Sequence, residues 1–378
     1  MNATSKPLAE THHHSPRNYF QNPLLVYWEM TQACALACRH CRAEAMPQCH
    51  PNQLTTSESV QLLRQIAAFG DPLPHLILTG GDPLQRVDLY TLIAEARALG
   101  LKVSITPSAT EALTPAVIAN LKRQGIESLG LSLDGSSAAR HEQVRGVTGC
   151  FAWTMRAARA AQEVGLPVQI NTLVARETAD DLPQIFELLT TLQVMRWSLF
   201  FLIAVGRGKA LQEISPEEGE RLMHWVYNLA REAPFAVKTT EAPYYRRVAL
   251  NRMQDQGLSP AEIRKTSVYQ GFGIRDGHGI MFVSNTGAIY PSGFLPLSAG
   301  NVRTNRVVDV YRESALFRSL HAPDEFKGKC GECEYRRVCG GSRARAFAHT
   351  GNPIESDPAC PYWLAKRKSW INRKWLGR

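Results

Sequence analysis

Between Pro23 and Gly206 short apolar runs alternate with helix-period segments, and this alternation constrains the fold more than any other feature of the chain. Six runs have the length and composition of strands: Leu24 to Met30, His75 to Thr79, Lys102 to Thr106, Ser128 to Leu133, Val168 to Val174 and Arg196 to Ala204. Helical segments lie between them near Ser57 to Phe69, Leu89 to Leu99, Pro115 to Arg123, Phe151 to Val164 and Leu182 to Leu192. Thr114 before Pro115 is a start signal, and Gly70, Gly100, Gly125 and Gly165 stand where helices should stop. Strands joined through helices imply right-handed crossovers and a parallel sheet. The expected architecture is therefore α/β, a partial (β/α)6 TIM-like barrel with its chemistry at the carboxyl ends of the strands.

After Gly206 the alternation stops. A helix is expected from Pro216 to about Arg231, and a hairpin around Ile280 to Tyr290 turns at Asn285, Thr286 and Gly287. The chain thus divides into a polar lead-in (1–22) containing His12, His13 and His14, a barrel (23–210), a helical linker region (211–270), a small cysteine-rich domain (271–364) and a basic tail (365–378). No apolar run reaches the roughly 18 residues of a membrane-spanning helix, and the first residues lack the apolar stretch of a signal peptide. A cytoplasmic protein without a membrane span is expected.

The nine cysteines lie at positions 34, 38, 41, 49, 150, 330, 333, 339 and 360, and seven fall in two groups. An odd total without a signal peptide argues against a secreted disulfide framework, and close clustering in a reducing compartment points to metal or iron–sulfur ligation. Cys34, Cys38 and Cys41 form CxxxCxxC directly after the first predicted strand. Three thiolates hold three irons of a [4Fe-4S] cluster and leave the fourth open, as a catalytic site requires. A zinc site would need His40 or Cys49 to complete it. Cys330, Cys333 and Cys339 give CxxCx5C, with Cys360 further on in DPACPYW. Four thiolates close either a four-iron cluster or a structural zinc, and spacing alone leaves both open. Cys49 and Cys150 read as ordinary thiols, one of them near a cluster.

The segment Trp28 to Cys41, WEMTQACALACRHC, resembles the cluster loop of the radical SAM superfamily. That resemblance implies that the open iron is chelated by S-adenosylmethionine, whose reductive cleavage gives a 5′-deoxyadenosyl radical that abstracts hydrogen from a substrate. Gly80, Gly81, Asp82 and Pro83, ending the second strand, are similar to the family's GGEP element with Asp82 in place of glutamate. Ser132, Leu133, Asp134 and Gly135 resemble its SLDG element, and His141, Arg145 and Gly146 its HxxxRG continuation. The resemblance makes Gly80, Gly81, Asp82, Pro83, Ser132, Asp134, Arg145 and Asn171 the cosubstrate-binding residues. Asn171, beside Ile170 and Leu173, is a polar intrusion that must find a partner. Gly206, Arg207 and Gly208 resemble the family's GR turn, a matter of backbone geometry.

The second cysteine group is similar to the family's C-terminal SPASM or twitch extension. Ser292 stands where the Gx4C element after Gly287 would place a cysteine, and Arg343 where CxxxC would place another. The resemblance therefore implies one auxiliary [4Fe-4S] cluster, held by Cys330, Cys333, Cys339 and Cys360, in an electron-relay or structural role. The stretches CGGSRARA (Cys339 to Ala346) and WEMTQAC are similar to enzymes of alternative haem and haem d1 biosynthesis, which alter tetrapyrrole side chains, for example by removing carboxyl groups from propionates. A tetrapyrrole is the expected substrate. Peptide maturases share the extension and supply the alternative, weakened by the lack of an added peptide-recognition domain. The implied electron donor is a flavodoxin or ferredoxin. Arg343 and Arg345 would suit anionic propionates or stand as solvated surface.

The net charge of +9 raises a reading of another class, a non-enzymatic iron–sulfur or zinc protein that binds nucleic acid. Residues 365–378 hold Lys366, Arg367, Lys368, Arg373, Lys374 and Arg378 with no acidic residue, six of the nine excess charges. The rest of the chain is nearly balanced, and nucleic acid is not expected. Trp370 and Trp375 suit a tail helix packed by two aromatics.

Overall fold

Six strands occupy the expected runs in the computed structural model: β1 (Leu25–Glu29), β2 (His75–Thr79), β3 (Val103–Ile105), β4 (Leu129–Ser132), β5 (Val168–Val174) and β6 (Arg196–Phe201). The described residues are 18–36 and 38–362; the histidine run His12 to His14 and the basic tail 365–378 with its tryptophans lie outside them. Each of these strands pairs with the next in parallel, with Trp28 opposite Leu78 and Ser132 opposite Asn171.

Two more strands join the same sheet in parallel. β7 (Ala236–Thr240) pairs with β6, and β8 (Ile280–Val283) pairs with β1. β9 (Ala288–Tyr290) and β10 (Gly300–Asn301) continue antiparallel from β8, giving the order β10-β9-β8-β1-β2-β3-β4-β5-β6-β7. The sheet does not close, so the molecule is a partial barrel. The expected hairpin is therefore β8–β9, and its first strand belongs to the barrel wall. β7 escapes the apolar pattern because Lys238 interrupts AVKTT.

Helices α1 (Thr56–Ala67), α2 (Leu89–Ala98), α3 (Pro115–Arg123), α4 (Ala138–Arg145), α5 (Cys150–Glu163) and α6 (Leu182–Thr191) connect β1 through β6. Their starts are written in side chains: Thr55 and Glu58 form a capping box on α1, and Thr114 accepts the Val117 N–H ahead of Pro115 on α3. α4 is an addition to the expected helices and carries no apolar stripe, because only His141 and Val144 of its eight residues are buried; Ser137 caps it and Gly146 ends it. After β6 come α7 (Pro216–Glu232), α8 (Tyr245–Asp255) and, in the cysteine-rich segment, α9 (Arg343–Thr350).

The strand alternation separates two environments. Val26 and Trp28 of β1 and Ile170 of β5 are wholly buried in the layer shared with Leu62, Leu63 and Ile66 of α1 and with the other helices. Each such aliphatic side chain contributes about 1.5–3 kcal/mol of burial. Leu25, Tyr27, Gln169 and Asn171, at the intervening positions, line a central cavity of about 370 Å³. The outer layer holds the fold together, and the inner face stays hollow and mixes apolar with polar side chains.

Candidate active site

The loop after β1 carries Cys34, Cys38 and Cys41 across the carboxyl ends of the strands, and three segments clamp it. The Gly81 and Asp82 N–H groups donate to the Thr31 and Ala33 carbonyls, each at 2.7 Å. A Cβ at Gly80 would lie 2.4 Å from the Thr31 carbonyl oxygen, and one at Gly81 would lie 2.4 Å from that of Ala33. The two glycines are thus required by the approach of the cysteine loop itself. Arg207 N–H donates to the Cys41 carbonyl at 3.1 Å, and a Cβ at Gly206 would meet that carbonyl oxygen at 2.7 Å. From α4, the Val144 carbonyl accepts the Arg39 N–H at 3.0 Å. The GR turn is backbone geometry, as expected.

All three sulfurs line the cavity and accept hydrogen bonds. Cys34 Sγ takes the Leu36 N–H at 3.3 Å and lies 3.2 Å from the Ser108 hydroxyl, which itself donates to the Gly81 carbonyl at 2.9 Å. Cys41 Sγ takes the Ala45 N–H, and Cys38 Sγ takes Arg145 Nη1, both at 3.5 Å. Such donors suit sulfurs bearing negative charge. Cys150, read as an ordinary thiol, packs with Cys34, Cys38 and Ala45 and also lines the cavity, whereas Cys49 is exposed. The three loop thiols with their N–H donors fit an iron–sulfur cluster. They would hold three irons and leave one for an outside ligand.

Among the cosubstrate candidates, Gly80, Gly81, Ser132, Asp134, Arg145 and Asn171 are brought together on this cavity. Asp82 and Pro83 lie behind it. Asp82 accepts the Leu84 N–H at 3.1 Å and the Ser108 N–H at 3.3 Å, so it shapes the turn, and burial pushes its carboxyl up to about 6. Asn171 finds its partner in Gln169, whose amide donates to Oδ1 at 2.7 Å. Asp134 Oδ1 accepts the Leu173 N–H at 2.7 Å, while Oδ2 pairs with Arg145 Nε at 2.7 Å. Burial alone would raise the Asp134 carboxyl, but Arg145 and the neighbouring imidazoles and N–H bring it below its ordinary value. Burial, then Arg145, push both His40 and His141 down to about 4, so they are neutral; His141 Nδ1 accepts the Asp134 N–H at 3.0 Å.

Several cavity residues carry no motif. Arg42 pairs with Glu29 at 3.1 Å and lies 4.4 Å over the Phe282 ring. Glu241, immediately after β7, has a left-handed φ of 60° and accepts the Ser342 hydroxyl at 2.5 Å. Arg196 and Lys238 enter from β6 and β7. A charged residue inside an apolar run was the available signal for the last two.

The second cysteine group lies outside the cavity lining. Cys330 Sγ accepts the Asp357 N–H at 3.4 Å and faces Arg343 Nη2 at 3.7 Å; Cys333 accepts from Tyr335 N–H and Cys339 from Gly341 N–H, both at 3.4 Å; Cys360 takes a backbone N–H from Tyr362. Four thiols with amide donors fit a fully ligated cluster. Arg343 and Arg345 are neither solvated nor turned to a substrate. Arg343 is wholly buried and donates to the Pro353 and Glu355 carbonyls at 3.0 and 2.7 Å. Arg345 donates to Glu213, to the Leu202 carbonyl and to the Glu241 carbonyl. A guanidinium with five donors can be buried once carbonyls surround it. Arg345 ties α9 to the barrel, and Arg343 ties it to the Pro353 to Glu355 turn.

Residues 28–189 match the radical SAM superfamily. The chain is 36% identical over 347 residues to the AdoMet-dependent heme synthase of Methanosarcina barkeri, covering 91% of this chain and 98% of the relative. It is 38% identical to the enzyme of the same name from Oleidesulfovibrio alaskensis, over 91% and 88% of the two chains. The Streptococcus suis SuiB structure bound to S-adenosylmethionine shares the fold, with a TM-score of 0.67 at 19% identity over 90% of this chain and 78% of that one. The chain belongs to the radical SAM superfamily. It is an enzyme whose cofactors are S-adenosylmethionine and a [4Fe-4S] cluster, and both heme synthase relatives act in haem biosynthesis. No helix among the described residues is long and apolar enough to cross a membrane.

Proposed function

We propose that this enzyme oxidatively decarboxylates propionate side chains of an iron porphyrin to vinyl groups, forming haem. Each side chain would lose one hydrogen atom to 5′-deoxyadenosine and its carboxylate as CO2, and the one electron left over would pass to an iron–sulfur acceptor. Cys34, Cys38 and Cys41 would hold the catalytic cluster, and Gly80, Gly81, Ser132, Asp134, Arg145 and Asn171 would surround S-adenosylmethionine, with Asp82 and Pro83 holding the turn. When bound, these cofactors supply a 5′-deoxyadenosyl radical. Cys330, Cys333, Cys339 and Cys360 would hold an auxiliary [4Fe-4S] cluster, supported by the amide donor at each sulfur. A low-potential protein such as flavodoxin or ferredoxin would deliver electrons, in the cytoplasm.

The observation that carries this reading is the lining of the cavity. It runs from the thiols to the strand starts, with Tyr27, Ile280 and Phe282 on an apolar wall and Gln169, Arg196 and Lys238 on a polar one. A flat apolar macrocycle with carboxylates at its edge matches both walls. The heme synthase relatives, aligned over almost their whole length, favour it over a peptide, since SuiB shares the fold alone.

The chain's own residues have defined tasks in it. Arg145 pairs with Asp134 and donates to the Cys38 sulfur, and the neutral His40 and His141 add no charge beside them. Arg42, fixed by Glu29 and Phe282, closes the wall near Gly293. The test is anaerobic incubation of the reconstituted enzyme with S-adenosylmethionine, dithionite and iron coproporphyrin III, the tetrapropionate counterpart of haem. Product masses lower by one formic acid per converted side chain support the proposal; unchanged porphyrin beside abundant 5′-deoxyadenosine refutes it.

A further inference from the structure

The two ends of the cavity balance their charges differently. Of the arginines that line the cavity, the two near the cysteine loop each have a carboxylate: Arg42 pairs with Glu29 at 3.1 Å and Arg145 with Asp134 at 2.7 Å. Toward the strand starts the cations have none such. Arg196, the first residue of β6, gives Nη1 to the neutral Gln169 amide oxygen at 3.2 Å. Lys238, in the middle of β7, feels the charges of Arg196 and Arg246, both cationic, and has no ion-pair partner among the described residues.

The register fixes their relation. Ser198 stands opposite Lys238, and Arg196 stands opposite Ala236, so the two cations sit diagonally on neighbouring strands. Both face the cavity. Lys238 keeps much accessible surface and lines the cavity. Like charges placed this way repel each other across a sheet. Burial and the two guanidinium groups together push the Lys238 amine down to about 8. An anion between them would remove the repulsion and satisfy the free donors.

Neighbouring groups complete a recess for a carboxylate. The Ser198 and Thr240 hydroxyls lie 3.3 Å apart beside Lys238. Glu241, the acid at the end of β7, does not compete: burial, then Asp276, raise its carboxyl well above the ordinary range, and Ser342 holds it.

We propose that Arg196 and Lys238 form a carboxylate-binding subsite that anchors one propionate of the tetrapyrrole and sets which edge of the macrocycle faces the cysteine loop. The inference rests on the tetrapyrrole reading above. It replaces Arg343 and Arg345 as the contacts to propionate.

The test is Soret-band titration of the reconstituted full chain with iron coproporphyrin III and with its tetramethyl ester, which keeps the macrocycle and lacks the anions. Wild type is expected to prefer the acid by about tenfold or more, as a charge-assisted pair provides. R196Q/K238M is expected to lose that preference while keeping its affinity for the ester. A double variant that retains the full preference overturns the subsite. If the double variant binds neither porphyrin, R196K/K238R decides: a preserved preference supports the subsite, and a lost one overturns it. Wild type that binds both forms equally leaves the tetrapyrrole reading standing and removes the subsite. Wild type that binds neither removes both.

Discussion

Arg145 reaches Cys38 Sγ with Nη1 at 3.5 Å while its Nε lies 2.7 Å from Asp134 Oδ2, so one guanidinium joins the SLDG strand end to the cysteine loop. The pair is almost fully enclosed, with side-chain exposures of 12% and 2%, so neither charge is well served by water. Removing one partner of such a pair costs about 3–5 kcal/mol, because the other charge is left buried alone. Arg145→Leu is expected to abolish 5′-deoxyadenosine formation and reduce iron retention, whereas Arg145→Lys keeps the charge and part of both. Iron analysis with chromatography of the nucleoside products checks this. Full activity in the leucine variant would contradict it.

Gly81→Ala is expected to displace the cysteine loop. The new Cβ would stand 2.4 Å from the Ala33 carbonyl oxygen and 2.5 Å from that of Gln32, and backbone atoms cannot swing aside as a side-chain end can. A shift of this order costs about 10²-fold in rate when it moves reacting groups. Cleavage of S-adenosylmethionine should fall by that order while the far-ultraviolet dichroism stays that of wild type.

The affinity for a propionate-bearing porphyrin should depend on pH through Lys238. Its amine, faced by Arg196 from β6 and Arg246 from α8, with the Glu241 carboxyl raised well above its ordinary range at the end of its own strand, is pushed down to about 8. The ammonium form binds an anion, so affinity is full below that value and is lost as pH rises through it, by up to about tenfold between pH 7 and 9. The tetramethyl ester should bind equally at both. Lys238→Arg should flatten the profile.

Reconstituted wild type should carry about eight irons and no zinc per chain, and C339A about four. Four irons with one zinc would replace the auxiliary cluster by a structural metal and leave the first cluster in place.

The strand runs β1 to β6 and the helix caps at Thr55 and Thr114 show why much of the barrel is legible from local pattern: each is encoded within a few residues. β8 is not, because its place is set by a partner at the opposite end of the sequence. The motif residues Gly80, Gly81, Ser132, Asp134 and Arg145 converge because they end parallel strands or the helix beside them, and Asn171 joins them from mid-β5, opposite Ser132. Arg343 and Arg345 mislead because sequence does not show which carbonyls a loop will turn inward. Glu241 is hidden for a related reason, since its left-handed backbone is imposed by tertiary contacts.

The account rests on a radical formed at the Cys34, Cys38 and Cys41 loop reaching a side chain held in the same cavity. The most direct measurement is deuterium transfer from iron coproporphyrin III labelled along its propionate chains. Mass spectrometry of the nucleoside should show deuterium in 5′-deoxyadenosine in proportion to the vinyl groups formed. Unlabelled 5′-deoxyadenosine beside intact porphyrin would contradict the account.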